Sequence, residues 1–74
     1  MANALQERYA EVLLAKISSD THPSGTHMNI FEAVASRRLL VAYILHLMER
    51  IENDPHPSIP MMMRVHRLIA GFGR

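Results

Sequence analysis

The chain contains two copies of one pattern, offset by 34 residues, and this repeat limits the possible folds more than any other feature. Nine aligned pairs are identical without a gap: Leu5 and Leu39, Tyr9 and Tyr43, Leu13 and Leu47, Ile17 and Ile51, Asp20 and Asp54, His22 and His56, Pro23 and Pro57, Ser24 and Ser58, Met28 and Met62. So many ordered identities indicate internal duplication. The sequence therefore predicts a single domain over residues 1–74, with repeat one at about 3–36 and repeat two at about 37–72.

Each copy predicts a helical hairpin. Its opening apolar series falls on every fourth residue, which places the side chains on one stripe of an α-helix and excludes a strand. Pro23 and Pro57 end that helix, because proline lacks the N–H that a continuing helix would use. Ser24 and Ser58 then stand at the N-cap position of a second helix. The turn between the two helices is thus part of the repeat.

The predicted fold class is all-α, a compact four-helix domain built from two tandem hairpins of the 34-residue repeat. We expect helices at about 3–19, 25–35, 37–53 and 59–70. Ser36 is the expected N-cap of the third helix, and Pro60 is tolerated in the first turn of the fourth. Gly71 and Gly73 are expected to end the fourth helix.

Size and composition exclude several classes of protein. A chain of 74 residues builds a small core, so association with a partner is an expected source of further stability. The absence of cysteine removes disulfides and thiolate zinc sites and fits a cytoplasmic location. A formal charge of +1 gives no strong attraction to nucleic acid or lipid. The longest apolar run, at 39–45, is too short to span a membrane.

The third helix is more apolar than the first. Five positions that hold Gln6, Glu7, Arg8, Ala10 and Glu11 in the first copy hold Leu40, Val41, Ala42, Ile44 and Leu45 in the second. Such a helix is either the central helix of a monomer or half of a subunit interface. We favour self-association as a homodimer, or binding to a protein partner, through this helix. The predicted interaction surface comprises Leu40, Val41, Ile44, Leu45, Met61 and Met63.

The run of three methionines in the fourth helix has two interpretations. Methionine adapts to varied surfaces, which favours a second contact surface at Met61 and Met63. Alternatively, Met62 matches Met28 as a core residue, while Met61 or Met63 fills a gap or lies partly exposed. The second interpretation is the more common situation for methionine on a helix.

The paired Asp-x-His turns have a metal interpretation and a structural one. Asp20, His22, Asp54 and His56 would supply carboxylate and imidazole ligands if the two turns converged. In the structural alternative each aspartate accepts turn N–H groups, each histidine packs or donates, and each serine caps a helix. We favour the structural alternative because it also explains proline and serine. Ser, His and Asp this close cannot form a catalytic triad. No catalytic, cofactor or metal residue is predicted.

Nucleic-acid binding is the alternative function. The candidate contacts are Arg37, Arg38, Arg64 and Arg67. Small helical dimers do read DNA with basic helices. The near-neutral charge and the lack of a long basic run make this the second choice.

The two turns also carry a resemblance. Asp20, His22, Pro23 and Ser24 with Met28, together with their counterparts from Asp54 to Met62, resemble short uncharacterised helical proteins of actinobacteria and their phages. Those proteins have tyrosine or phenylalanine where this chain has His22 and His56. The resemblance implies a phage or prophage accessory or assembly protein. The predicted function is thus a small non-enzymatic interaction or assembly module that self-associates through helix three.

Overall fold

A computed structural model describes residues 3–72, and the described residues form four α-helices without a strand. They are α1 (Ala4–Ser19), α2 (Gly25–Val34), α3 (Arg37–Asn53) and α4 (Ile59–Phe72). Helices α1 and α2 contact each other, as do α3 and α4. The predicted all-α fold with two helical hairpins is confirmed. The chain divides into two compact units, the first ending at Val41 and the second beginning at Ala42.

The two Asp-x-His-Pro-Ser turns have the same hydrogen bonds. The backbone N–H of His22 donates to Asp20 Oδ1 (3.0 Å), and that of His56 donates to Asp54 Oδ1 (2.9 Å). At the other end of each turn a serine hydroxyl accepts from the third residue of the next helix, at 3.0 Å for Ser24 and 3.1 Å for Ser58. The serines therefore cap α2 and α4 as the sequence predicts.

Two further caps start the helices that open each copy. Asn3 Oδ1 accepts from the N–H of Gln6 at 2.7 Å and caps α1, a role that the sequence analysis did not assign. Ser36 caps α3 as predicted, since its Oγ accepts from the N–H of Leu39 at 3.4 Å. A different side chain thus begins each of these two helices.

The fourth helix is longer than predicted. It continues to Phe72, so the expectation that Gly71 ends it is wrong, and Gly73 lies outside the described residues. An added Cβ at Gly71 would meet no neighbouring atom, and its backbone needs no left-handed conformation. A glycine with ordinary helical φ and ψ lowers helix stability by only about 1 kcal/mol and does not by itself end a helix.

Each unit has an apolar core along one side of its helices. In the first unit the buried apolar side chains are Ala10, Leu13, Ile17, Met28, Phe31 and Leu39. In the second unit they are Tyr43, Ile44, Leu47 and Val65. Met28 is a core residue as its position predicts, whereas its counterpart Met62 is exposed, so the expectation that Met62 is core is wrong. The two copies therefore share secondary structure but differ in which positions they bury.

Candidate interaction surface

Helix α3 has an apolar face that points to solvent. Val41, Leu45 and Met48 are exposed on it, and Leu45 keeps 59% of its accessible surface. Their spacing of four and three residues places them on one side of the helix, away from the buried Leu39, Tyr43 and Leu47. We call Val41, Leu45 and Met48 the α3 face. Helix α3 is therefore apolar on two sides, and only one of them is buried.

The residues of the predicted interaction surface differ in how exposed they are. Val41, Leu45 and Met63 are exposed, while Leu40 and Met61 are half-buried. Ile44 is buried within its own chain, so its inclusion in a contact surface is wrong. The reason is helical geometry, because Ile44 lies three residues before the fully buried Leu47 and faces the same way. Met48, which the sequence does not predict to be part of the surface, is exposed on the same side of α3 as Val41 and Leu45.

Acidic side chains border the C-terminal half of the α3 face. A shallow depression there is lined by Leu45, Met48, Glu49, Ile51 and Glu52, all within the second unit. Glu49 and Glu52 are exposed beside the apolar side chains. An apolar centre with a charged border is the usual arrangement of a protein contact surface.

A second exposed apolar stripe lies on α1 and was missed from the sequence. Leu5, Tyr9 and Val12 are exposed with the same spacing of four and three residues, and Leu5 keeps 84% of its surface. We call these residues the α1 stripe. Leu5 and Tyr9 belong to the repeated apolar series, whose members the sequence predicts to share one environment. Because the neighbouring residues Gln6, Glu7 and Glu11 are polar, the sequence gives no sign of an exposed apolar stripe on α1.

Polar contacts connect α1 with the end of α2 and the start of α3 inside the first unit. Gln6 Nε2 donates to the Val34 carbonyl oxygen at 3.1 Å. The hydroxyl of Ser36 donates to Glu7 Oε1 at 2.8 Å. Arg38 Nη2 lies 3.3 Å from Glu7 Oε1 and 3.5 Å from Glu11 Oε2. We call the side chains that make these contacts the polar clasp; they are Gln6, Glu7, Glu11, Ser36 and Arg38.

The positions one repeat after the members of the polar clasp hold apolar residues. A shift of 34 residues maps its members in order onto Leu40, Val41, Leu45, Ala70 and Phe72. The part of α1 that binds Ser36 and Arg38 thus corresponds to the part of α3 that carries Val41 and Leu45. The α3 face is the second copy's version of a surface that is already in use in the first.

The candidate nucleic-acid contacts are placed differently from one another. Arg37, Arg38 and Arg67 are exposed, whereas Arg64 is half-buried. Two carboxylates balance the charge of Arg38. Helix α4 has no acidic residue between Ile59 and Phe72, so Arg67 lies on a weakly basic helix. Arg37 and Arg38 belong to the first unit and Arg64 and Arg67 to the second, and nucleic-acid binding stays a prediction.

The Asp-x-His turns are exposed loops. His22 and His56 are exposed, so the packing alternative for these histidines is wrong, while their donation to a carbonyl stays a prediction. The aspartates act through the turn hydrogen bonds already described. Between residues 3 and 72, no three side chains of the His, Cys, Asp or Glu type lie close enough to hold a metal ion together.

Within the same described residues, none of the helices combines the length and hydrophobicity needed to cross a bilayer. Comparisons with protein-family models, with curated proteins and with solved structures find no match to this chain.

Proposed function

We propose that this chain is a small non-enzymatic interaction module that associates with further copies of itself through the α3 face. The observation that carries the proposal is the exposure of Val41, Leu45 and Met48 on a helix whose opposite side is buried. Contiguous exposed apolar side chains bordered by polar ones mark sites of protein association. In the first copy the matching region is acidic, and Glu7 there bonds to Ser36 and Arg38 of its own chain. The apolar side chains at the matching positions of α3 cannot make these bonds.

The expected association is weak and depends on concentration. A standard interface buries roughly 800 Å² per partner, and one stripe of three side chains supplies less than that. Aliphatic and methionine side chains give area without directional hydrogen bonds, which suits a reversible contact. The module would then respond to its local concentration, as an accessory or assembly protein does.

The test is molar mass by light scattering after size-exclusion chromatography, over a range from low micromolar to millimolar protein. The wild type is expected to gain mass with concentration. Val41→Glu and Leu45→Glu place a charge on the α3 face, so both are expected to stay monomeric with at least a ten-fold loss of association.

Ile30→Glu is the matched control, because Ile30 is also an exposed apolar side chain, on α2 and outside both apolar surfaces. It should associate as the wild type does. Circular dichroism on each variant checks that the helices are intact. A wild type that is monomeric at millimolar concentration, or α3 variants with unchanged mass, would contradict the proposal.

A further inference from the structure

The surface that the α3 face contacts on another copy follows from the repeat, if the chain self-associates as proposed above. Inside the first unit, the residues that begin α3 lie on α1, where Ser36 and Arg38 bind Glu7 and Glu11. Leu39, the next residue, keeps only 5% of its surface. The first unit therefore contains polar contacts between the start of one repeat-opening helix and the helix that opens the other copy.

The two halves of that contact have exposed counterparts. Leu39 in α3 corresponds to Leu5 in α1, which is 84% exposed. Glu7 and Glu11 in α1 correspond to Val41 and Leu45 in α3, which are exposed as well. At positions that match these contacts, each of the two helices thus carries apolar side chains that are exposed.

We infer that the α1 stripe of one copy packs on the α3 face of a second copy, by analogy with the polar contacts that join the start of α3 to α1 within the chain. The contact joins Leu5, Tyr9 and Val12 of one molecule to Val41, Leu45 and Met48 of the other. It is heterologous, because it uses a different surface on each partner.

The chemistry of the two surfaces agrees with this pairing. Within the chain the central contact is ionic, between Arg38 and the carboxylates of Glu7 and Glu11. The position one repeat before Arg38 holds Ala4, and the positions one repeat after the two glutamates hold Val41 and Leu45. At these three positions the charged side chains are replaced by apolar ones on both sides, so burying these positions in the contact leaves no charge without a partner.

A twofold contact of α3 with α3, which the sequence favours, accounts for less. It would cover the α3 face of both molecules but leave Leu5, Tyr9 and Val12 exposed on each. The heterologous contact covers both apolar surfaces with one type of interface. Since such a contact does not close on itself after two molecules unless the geometry forms a ring, further copies can add to either end.

The deciding experiment is complementation between two variants. Leu5→Glu blocks the α1 stripe, and Val41→Glu blocks the α3 face; Leu5 is almost fully exposed and lies in the first turn of α1, where an acidic residue is favourable. Each variant alone is expected to be monomeric by light scattering. A 1:1 mixture is expected to form a dimer, because each variant retains the surface that the other lacks, and that dimer cannot grow further.

The double variant Leu5→Glu/Val41→Glu is the control. It has both surfaces blocked, so its mixture with either single variant should stay monomeric. Wild-type protein is expected to exceed the mass of a dimer as its concentration rises. Circular dichroism again shows that each variant is folded before mixing.

Different failures point to different errors. If Leu5→Glu associates like the wild type while Val41→Glu does not, the contact is α3 with α3, which overturns this inference and leaves the proposed function standing. A mixture that stays monomeric although both variants are folded also overturns the head-to-tail pairing. A wild type that is monomeric throughout removes the proposed function and this inference together.

Discussion

Helices α1 and α3 open the two copies of the repeat, and their matching positions lie in opposite environments. Tyr9 keeps 48% of its surface, whereas Tyr43, the same residue at the same repeat position, keeps none. Conversely, Glu7 and Glu11 bind Ser36 and Arg38, while Val41 and Leu45 face solvent. The comparison shows that two matching sequence segments can form the same helices and still differ in which side of a helix is covered.

The largest expected difference between the copies is at the two tyrosines. Tyr43→Ala removes a fully buried aromatic side chain and should lower the free energy of unfolding by about 3 to 5 kcal/mol. Tyr9→Ala removes a half-exposed ring and should cost less than about 1 kcal/mol. Urea denaturation followed by circular dichroism measures both, at a protein concentration that keeps the chain monomeric. Equal losses would show that Tyr9 and Tyr43 lie in the same environment and would contradict the difference between the two copies.

The two serine caps should behave alike, since their turns have the same hydrogen bonds. Ser24→Ala and Ser58→Ala each leave one N–H at a helix start without its acceptor and should each cost about 1 kcal/mol. The same denaturation experiment applies, with Thr26→Ala as a control at an exposed position next to the first cap. Costs that differ by more than about 1 kcal/mol would mean that the copies differ in their turns as well as in their cores.

The smallest expected effect concerns the ionic part of the polar clasp. Arg38→Gln removes two long, solvent-exposed ion pairs and should cost less than about 1 kcal/mol. Because salt screens exposed charges, the difference from wild type should shrink further in 1 M sodium chloride. A loss of several kcal/mol that salt does not change would assign Arg38 a packing role in the first unit.

Much of the fold was predictable because local chemistry determines it. The proline-serine turns fix where α1 and α3 end and where α2 and α4 begin, and these signals depend on a few neighbouring residues. The end of α4 was less predictable, since Gly71 is compatible with both a helix interior and a helix end. Asn3 was not predicted as a cap because, unlike Ser24 and Ser58, it has no matching residue in the other copy.

The candidate surface was only partly predictable. The apolar change on α3 identified Val41 and Leu45, but burial of Ile44 and exposure of Leu5 and Tyr9 depend on which sides of the helices are covered in the tertiary structure. A period of four residues indicates that side chains share a stripe and does not indicate whether that stripe is covered along its whole length. In α1 the repeated apolar series is exposed at Leu5 and buried at Leu13.

The hydroxyl of Ser36 takes part in two structures at once. It accepts from the N–H of Leu39 at the start of α3 and donates to Glu7 on α1. Fraying of the first turn of α3 therefore releases a group that also holds α1, and loosening of α1 at Glu7 weakens that first turn. The amide protons of both segments should accordingly exchange with solvent deuterium as one cooperative group, which makes this single oxygen atom a point where local opening motions are coupled.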